Sequence, residues 1–356
     1  MIGDLPPELG QLTALEHISF FNNSIRGELP REMEKLTNLY FLAIQSNELS
    51  GNLPSWLNRL SNLEILGLGS NNLQGPLPSF EGMKYLRELS LESNTLTGSV
   101  EVLDDMKQLE HVFLNDNSFE SVLHSDAFRG YNNLKTLDLS DNKFSGSFHE
   151  HFYNIHTLEI RNNRLSGHLP RVQALSFPFQ YLSARDNELS GAIPSTIGAL
   201  RQLIRLDLSH NMMNETIPDS LNMLTHLTHL FLSENPFEPD HIPYMRDLLN
   251  IREISLDGTN RHKRIPSWVG SLPELRVLNL QDNALTGSVP SELGNLQHLR
   301  LLLLNRNQLE GQIPNSLSKL NKVCKYTVGS SDKILFRAIT HLVSFDSHGL
   351  FGQERL

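Results

Sequence analysis

Carboxylates and guanidiniums recur at nearly even intervals through the middle of this 356-residue chain. Asp138, Glu159 and Asp207 are the acids, and Arg161, Arg185 and Arg205 the cations. His111 and His229 each precede a phenylalanine by two residues, Phe113 and Phe231, and Tyr181 lies between the two pairs. Gathered in a pocket, such groups could move protons; spread over a surface, they could hold a ligand by charge pairing and aromatic contact. The spacing decides between these. Successive members are about one repeat apart, so they form an open row that lacks the water-excluding pocket catalysis needs. No phosphate-binding loop, kinase signature, nucleophile elbow or paired C-x-x-C is present, and no enzyme is expected. His149, His151 and His156 match no zinc-ligand spacing, and neither a metal nor a cofactor is expected.

The element that must position these groups is clearest at Leu275 to Leu296, LRVLNLQDNALTGSVPSELGNL. Leu278 and Leu280 share one face of a short strand, while Asn279 and Gln281 point the other way. Asn283 stands where the chain turns, and its amide can satisfy backbone groups that a turn leaves unpaired. Gly287 permits a second bend, Val289-Pro290 extends the backbone, and Ser291 to Leu296 returns to the start. The asparagine place recurs at Asn23, Asn47, Asn71, Asn94, Asn117, Asn142, Asn163, Asn187, Asn211, Asn235, Thr259, Asn283 and Asn307, mostly at 24-residue steps. These thirteen positions are expected to form one ladder.

The motif L-x-x-L-x-L-x-x-N-x-L-x-G-x-I/V-P-x-x-L-G-x-L resembles the plant-type leucine-rich repeat of receptor-like kinases, receptor-like proteins and polygalacturonase inhibitors. The resemblance covers about nine-tenths of the chain. It implies an α/β repeat solenoid, a horseshoe or superhelix with one long parallel concave sheet, short outer strands and helical turns. The solenoid is expected over 1–322, with a degenerate last strand and a helical cap or tail over 323–356. Val323, Tyr326 and Val328 carry the strand pattern, and Asp332 to Phe345 the helical one. Because Gly3 is the equivalent of Gly27, the chain is expected to begin mid-repeat, as a fragment of a longer chain or as a start adapted to a partner.

Two stretches depart from the pattern. Between Val100 and Leu165 the glycine and proline places lapse, and the step from Asn142 to Asn163 is three residues short. The outer side should change there while the concave sheet continues. Around Pro239, His241 and Thr259 the pattern lapses again, and Arg261-His262-Lys263-Arg264 reads as a solvated charge run on a loop. Trp56 and Trp268 hold one repeat position and should pack on the outer side.

The formal net charge of −10 argues against nucleic acid as a partner, and no stretch is apolar for long enough to span a membrane. The lone Cys324 permits no internal disulfide, whereas extracellular relatives usually carry cysteine caps; a cytoplasmic location therefore stands beside the extracellular or membrane-associated one. Asn22 and Asn214 begin glycosylation sequons. No oligomeric state is implied.

On the concave sheet one column reads Phe113, Asp138, Glu159, Ser183, Asp207, Phe231, flanked by His111, Tyr181, Arg205 and His229 on one side and by Arg161 and Arg185 on the other. An outward phenylalanine has no core to enter, and aromatic and arginine groups around carboxylates suit a protein or peptide anchor. L-D-L-S also fills this place without any ligand. Arg252, Arg276 and Arg300 repeat one strand position, either to receive an acidic partner or neutralised by Glu253 and Asp282. The reading is therefore a protein- or peptide-recognition module of a receptor-like ectodomain. The alternatives are an inhibitor of a secreted enzyme and an intracellular interaction scaffold.

Overall fold

The computed structural model describes residues 1–173 and 178–323, and the backbone of 325–329. Among the described residues the concave face is one parallel sheet of fourteen strands, from His17–Ser19 to Lys325–Gly329, in strict chain order. Most strands are three residues long, and the middle residue points inward. Leu158 lies opposite Leu182, and Leu182 opposite Leu206, all fully buried. Each contributes about 2 kcal/mol over an exposed leucine, and stacked turns make one continuous core from them. On the other side of each turn the chain runs through short 3₁₀ segments such as Arg31–Lys35 and Ser291–Asn295, entered from a proline in extended conformation.

The asparagines stack along one edge of the sheet. Asn211 Nδ2 donates to Leu208 O, Ser209 O and, one turn back, Ala184 O at 2.9 to 3.1 Å, while its Oδ1 accepts from Leu189 N. The same set recurs at Asn71, Asn163 and Asn307. Thr259 keeps only part of it. Its hydroxyl donates to Leu256 O, and Phe237 N, which an asparagine there would have taken, bonds to Asn235 O instead.

The departures fall on the outer side. Outer strands form three separate sheets of six, five and three strands, and the first break lies between Ser118–Phe119 and Val122–Leu123. The concave sheet passes through unbroken: Thr136 pairs with Thr157 across the short turn as regularly as Thr157 pairs with Tyr181. The missing residues are made up by aromatic bulk. Phe148, Phe152 and Tyr153 pack together with ring centroids 5.4 Å apart, beside a Phe128–Tyr131 pair. His149 and His151 stack on each other there, and their ring nitrogens lie against Leu123 O and Ala127 O. Among the described residues no group of three His, Cys, Asp or Glu could hold a metal ion.

At the second departure the charge-run reading fails for one residue. Arg261 is only 1% exposed and occupies the place that Leu285 holds one turn later. Its guanidinium donates to Glu238 O at 2.6 Å, Thr259 O at 2.8 Å and His241 O at 3.2 Å. Three carbonyls that the missing outer strand would have left bare are satisfied by one side chain. Nor is the run a loop: His262–Arg264 form an outer strand paired with Ala284–Gly287, and only Lys263 and Arg264 are exposed. Trp56 is buried in its 3₁₀ turn, and Trp268 meets Tyr244 edge-on at 5.9 Å. The helical pattern expected over 332–345 lies outside the described residues.

Candidate ligand-binding surface

Strand alternation turns the residues flanking each central leucine onto the open face. Phe113 is the register partner of Asp138, which pairs with Glu159, then Ser183, Asp207 and Phe231. Six side chains thus stand in one row, with a phenylalanine at each end about 24 Å apart at one strand spacing per step. Two His-x-Phe strands close the row. His111 lies parallel to Phe113 with centroids 6.4 Å apart, and His229 lies by Phe231 at 6.1 Å. His111 Nδ1 is 3.2 Å from Thr136 Oγ1, and His229 Nδ1 is 2.8 Å from Thr228 Oγ1. Tyr181 lies opposite Arg205 in the neighbouring row.

The three arginines divide. Arg205 places its guanidinium 4.5 Å above the Phe231 ring and pairs with Asp207 at 3.1 Å. Arg161 instead reaches Asp141 at 3.3 Å, and Arg185 reaches Asp186 at 2.8 Å, both acids of the turn beside the sheet. Their charge is spent at the edge of the face, and the central acids keep less compensation than the sequence spacing implies.

The acids differ accordingly. Asp207 is buried and well supplied, since Ser209 Oγ donates to it at 2.6 Å and Ser209 N at 3.2 Å. Asp138 has its carboxyl pushed up by burial, although Ser140 N donates to it at 3.0 Å. Glu159 is pushed up furthest, to about 7, by burial first and by the charge of Asp138 second; Ser183, Arg205 and Arg161 oppose the shift. Glu92 joins this group from the far side. It lies across Gly69, where a Cβ would sit 2.1 Å from its Oε1, and burial raises its carboxyl as well.

Beyond Phe231 the row opens into a shallow pocket of about 310 Å³, walled by Arg205, Phe231, Glu253, Val277, Leu301 and Leu303. At its floor Asp257 accepts from Ser233 Oγ, from Ser255 Oγ at 2.9 Å and from Asn279 Nδ2 at 2.8 Å. The same column continues from Phe231 through Ser255 and Asn279 to Leu303, but strand alternation does not show that these turns enclose a pocket. A signal for it was present: Val277, Leu301 and Leu303 are apolar at places that elsewhere face water. Exposed Phe21 and Tyr40 near the first strands were left out of the sequence row.

Known proteins share this fold. The "Leucine rich repeat" family model matches residues 180–237 and 250–309, and a second model of that description matches 133–155. No curated protein sequence matches the chain. Among solved structures, a TDR receptor superposes with a TM-score of 0.82 at 31% identity, over 92% of this chain and 57% of that one. The Arabidopsis receptor kinase HAESA ectodomain, solved with an N-terminally extended IDA peptide hormone, gives 0.81 at 34% identity, over 90% of this chain and 55% of that one. A Leptospira interrogans leucine-rich-repeat protein gives 0.71 at 26% identity, over 92% and 81%. The chain therefore spans little more than half the length of the two plant receptors.

Proposed function

This chain is a leucine-rich-repeat protein, and from that premise we propose that it recognises an extended peptide laid along its concave sheet. The observation that carries the reading is the row from Phe113 to Phe231, continued into the pocket walled by Arg205 and Leu303. A row of about 24 Å matches roughly seven extended residues. Phenylalanine rings at its ends offer anchors, and Arg205 over Phe231 offers a cation and a ring in one place. The HAESA ectodomain, solved with a peptide hormone, supports the same use of this fold. The location that goes with it is extracellular or at a membrane face. Among the described residues no helix is long and apolar enough to cross a membrane.

The test begins with a library of synthetic peptides, about ten residues long, screened by fluorescence anisotropy. For any peptide that binds, Phe231→Ala should cost about 2 kcal/mol, near thirtyfold in Kd. Phe113→Ala should act in the same direction. Met212→Ala, on an exposed outer strand, should change nothing. Trp56 makes a poor control because it is buried. If Met212→Ala weakens binding while both phenylalanine changes are silent, the binding face is not the concave sheet.

A further inference from the structure

Arg252, Arg276 and Arg300 hold one position on three consecutive strands, at the edge of the concave sheet beside the pocket. Their backbones are joined directly: Arg276 N donates to Arg252 O and Arg300 N to Arg276 O, each at 2.7 Å. The side chains therefore rise from the sheet one strand spacing apart, about 4.8 Å. The solenoid handles charge differently elsewhere in this very column. In the middle turns Arg87, Glu110 and Lys135 alternate in sign, with Glu110 3.7 Å from Arg87 and 2.5 Å from Lys135. Pairing between successive turns is also the habit at other columns, as in Arg59–Glu34, Lys143–Glu120 and Arg161–Asp141.

The three stacked arginines break that habit. Among the described residues none of them forms an ion pair or a side-chain hydrogen bond. The two acids that could have neutralised them are occupied: Asp282 pairs with Arg306 at 3.3 Å, and Glu253 interacts with Arg205. Like charges held one strand apart repel, and the sheet leaves that repulsion uncompensated. Val277 and Leu301, the residues after Arg276 and Arg300, form with Leu303 and Phe231 the apolar part of a pocket whose other walls carry Asp207, Glu253 and Asp257. Positive charge and apolar surface thus adjoin along two of the three turns, at Arg276–Val277 and Arg300–Leu301, while Arg252 is followed by Glu253.

We propose that this ladder binds an acidic peptide segment whose carboxylates face the arginines while an apolar side chain enters the adjoining pocket. The proposal rests on the concave-face reading above and names the chemistry of the ligand at its second end. A peptide along the row would meet aromatic anchors first and then this cationic edge. Guanidiniums suit carboxylates because each can donate two parallel hydrogen bonds, and three in series favour two or three acids over one.

The probe is a fluorescein-labelled peptide, GEELEEG, compared with its lysine counterpart GKKLKKG on the whole chain. The acidic probe should bind and the lysine one should not, and raising salt from about 50 to about 300 mM should weaken binding severalfold. Arg276→Glu should weaken it tenfold or more. Arg276→Gln should weaken it less, and keeps the test valid if the charge reversal disturbs folding by circular dichroism. Met212→Ala, on an exposed outer strand, should leave this probe unaffected. Equal binding of both probes, no binding of the acidic one, or wild-type binding by both Arg276 variants would overturn the proposal. A library peptide that needs Phe113 but ignores Arg276 would remove the ladder and leave the recognition reading standing. Loss at Arg276 with Phe113 and Phe231 silent for every peptide would do the reverse.

Discussion

Replacing Asn235 with alanine should destabilise the protein by about 4 kcal/mol, more than any other single change to the sheet edge. The side chain is 1% exposed and serves four backbone groups. Its Nδ2 donates to Leu208 O at 2.9 Å, Leu232 O at 3.0 Å and Ser233 O at 3.2 Å, and its Oδ1 accepts from Met213 N at 3.0 Å. Alanine leaves these groups facing one another in a space that water does not reach. An unpaired buried donor or acceptor costs about 1 to 3 kcal/mol, and partial relaxation keeps the total below the sum. Asn235→Asp should not rescue. It retains the acceptor for Met213 N but sets a charge against three carbonyl oxygens. Position 259 supplies a comparison within the same molecule. The Thr259 hydroxyl bonds to Leu256 O and has only a long contact, 3.4 Å, to Asn283 Oδ1, and Phe237 N has already turned to Asn235 O, so Thr259→Ala should cost only about 1 kcal/mol. Urea denaturation followed by circular dichroism reads both values. Equal losses at 235 and 259 would mean that the ladder bonds carry little of the stability.

The solenoid was legible because its cause is periodic. A leucine pair two residues apart, an asparagine at the turn and a glycine before the outer bend recur at one step, and stacking is the one arrangement that buries every leucine. The concave rows follow from strand alternation alone, so the order Phe113, Asp138, Glu159, Asp207, Phe231 could be written down from spacing. What the side chains do within a row was not legible to the same degree. Arg161 and Arg185 look like partners for the central acids, yet they bond to Asp141 and Asp186 across the edge of the sheet. Reach and rotamer choose between acids that sequence spacing treats as equal. Arg261 was hidden for another reason. A charged residue at a leucine place reads as surface until the absence of an outer strand leaves three carbonyls for it to satisfy. The pocket beyond Phe231 depends on which side chains of five successive turns meet, from Asp207 to Leu303, and spacing along one strand does not give that.

Glu159 gives the second large effect, and its sign is opposite to that of a salt-bridged acid. Burial beside Asp138 holds its carboxyl at about 7 in the folded protein, against 4.5 for the free side chain. Between these values the folded state binds a proton that the unfolded state has released, so stability falls as pH rises through that window. Below about pH 4.5 both states are protonated and Glu159 costs nothing; above about pH 7 both are ionised and the full penalty is present. A shift of this size corresponds to about 3 kcal/mol. Glu159→Gln keeps the shape and removes the charge. It should leave stability nearly unchanged at pH 4.5 and raise it by up to about 3 kcal/mol at pH 8. Asp138 should respond too, because its own carboxyl is raised and loses a like charge when Glu159 is neutral, so the measured gain belongs to the pair. Chemical denaturation of both proteins at four or five pH values gives the difference curve. A flat difference, or one that grows toward acid, would show that Glu159 is ionised without penalty on the concave face. A rising one means that this stretch of the row sits partly protonated near neutrality. It would then take up a cationic ligand group with release of protons, so such binding should tighten as pH rises from 6 to 8.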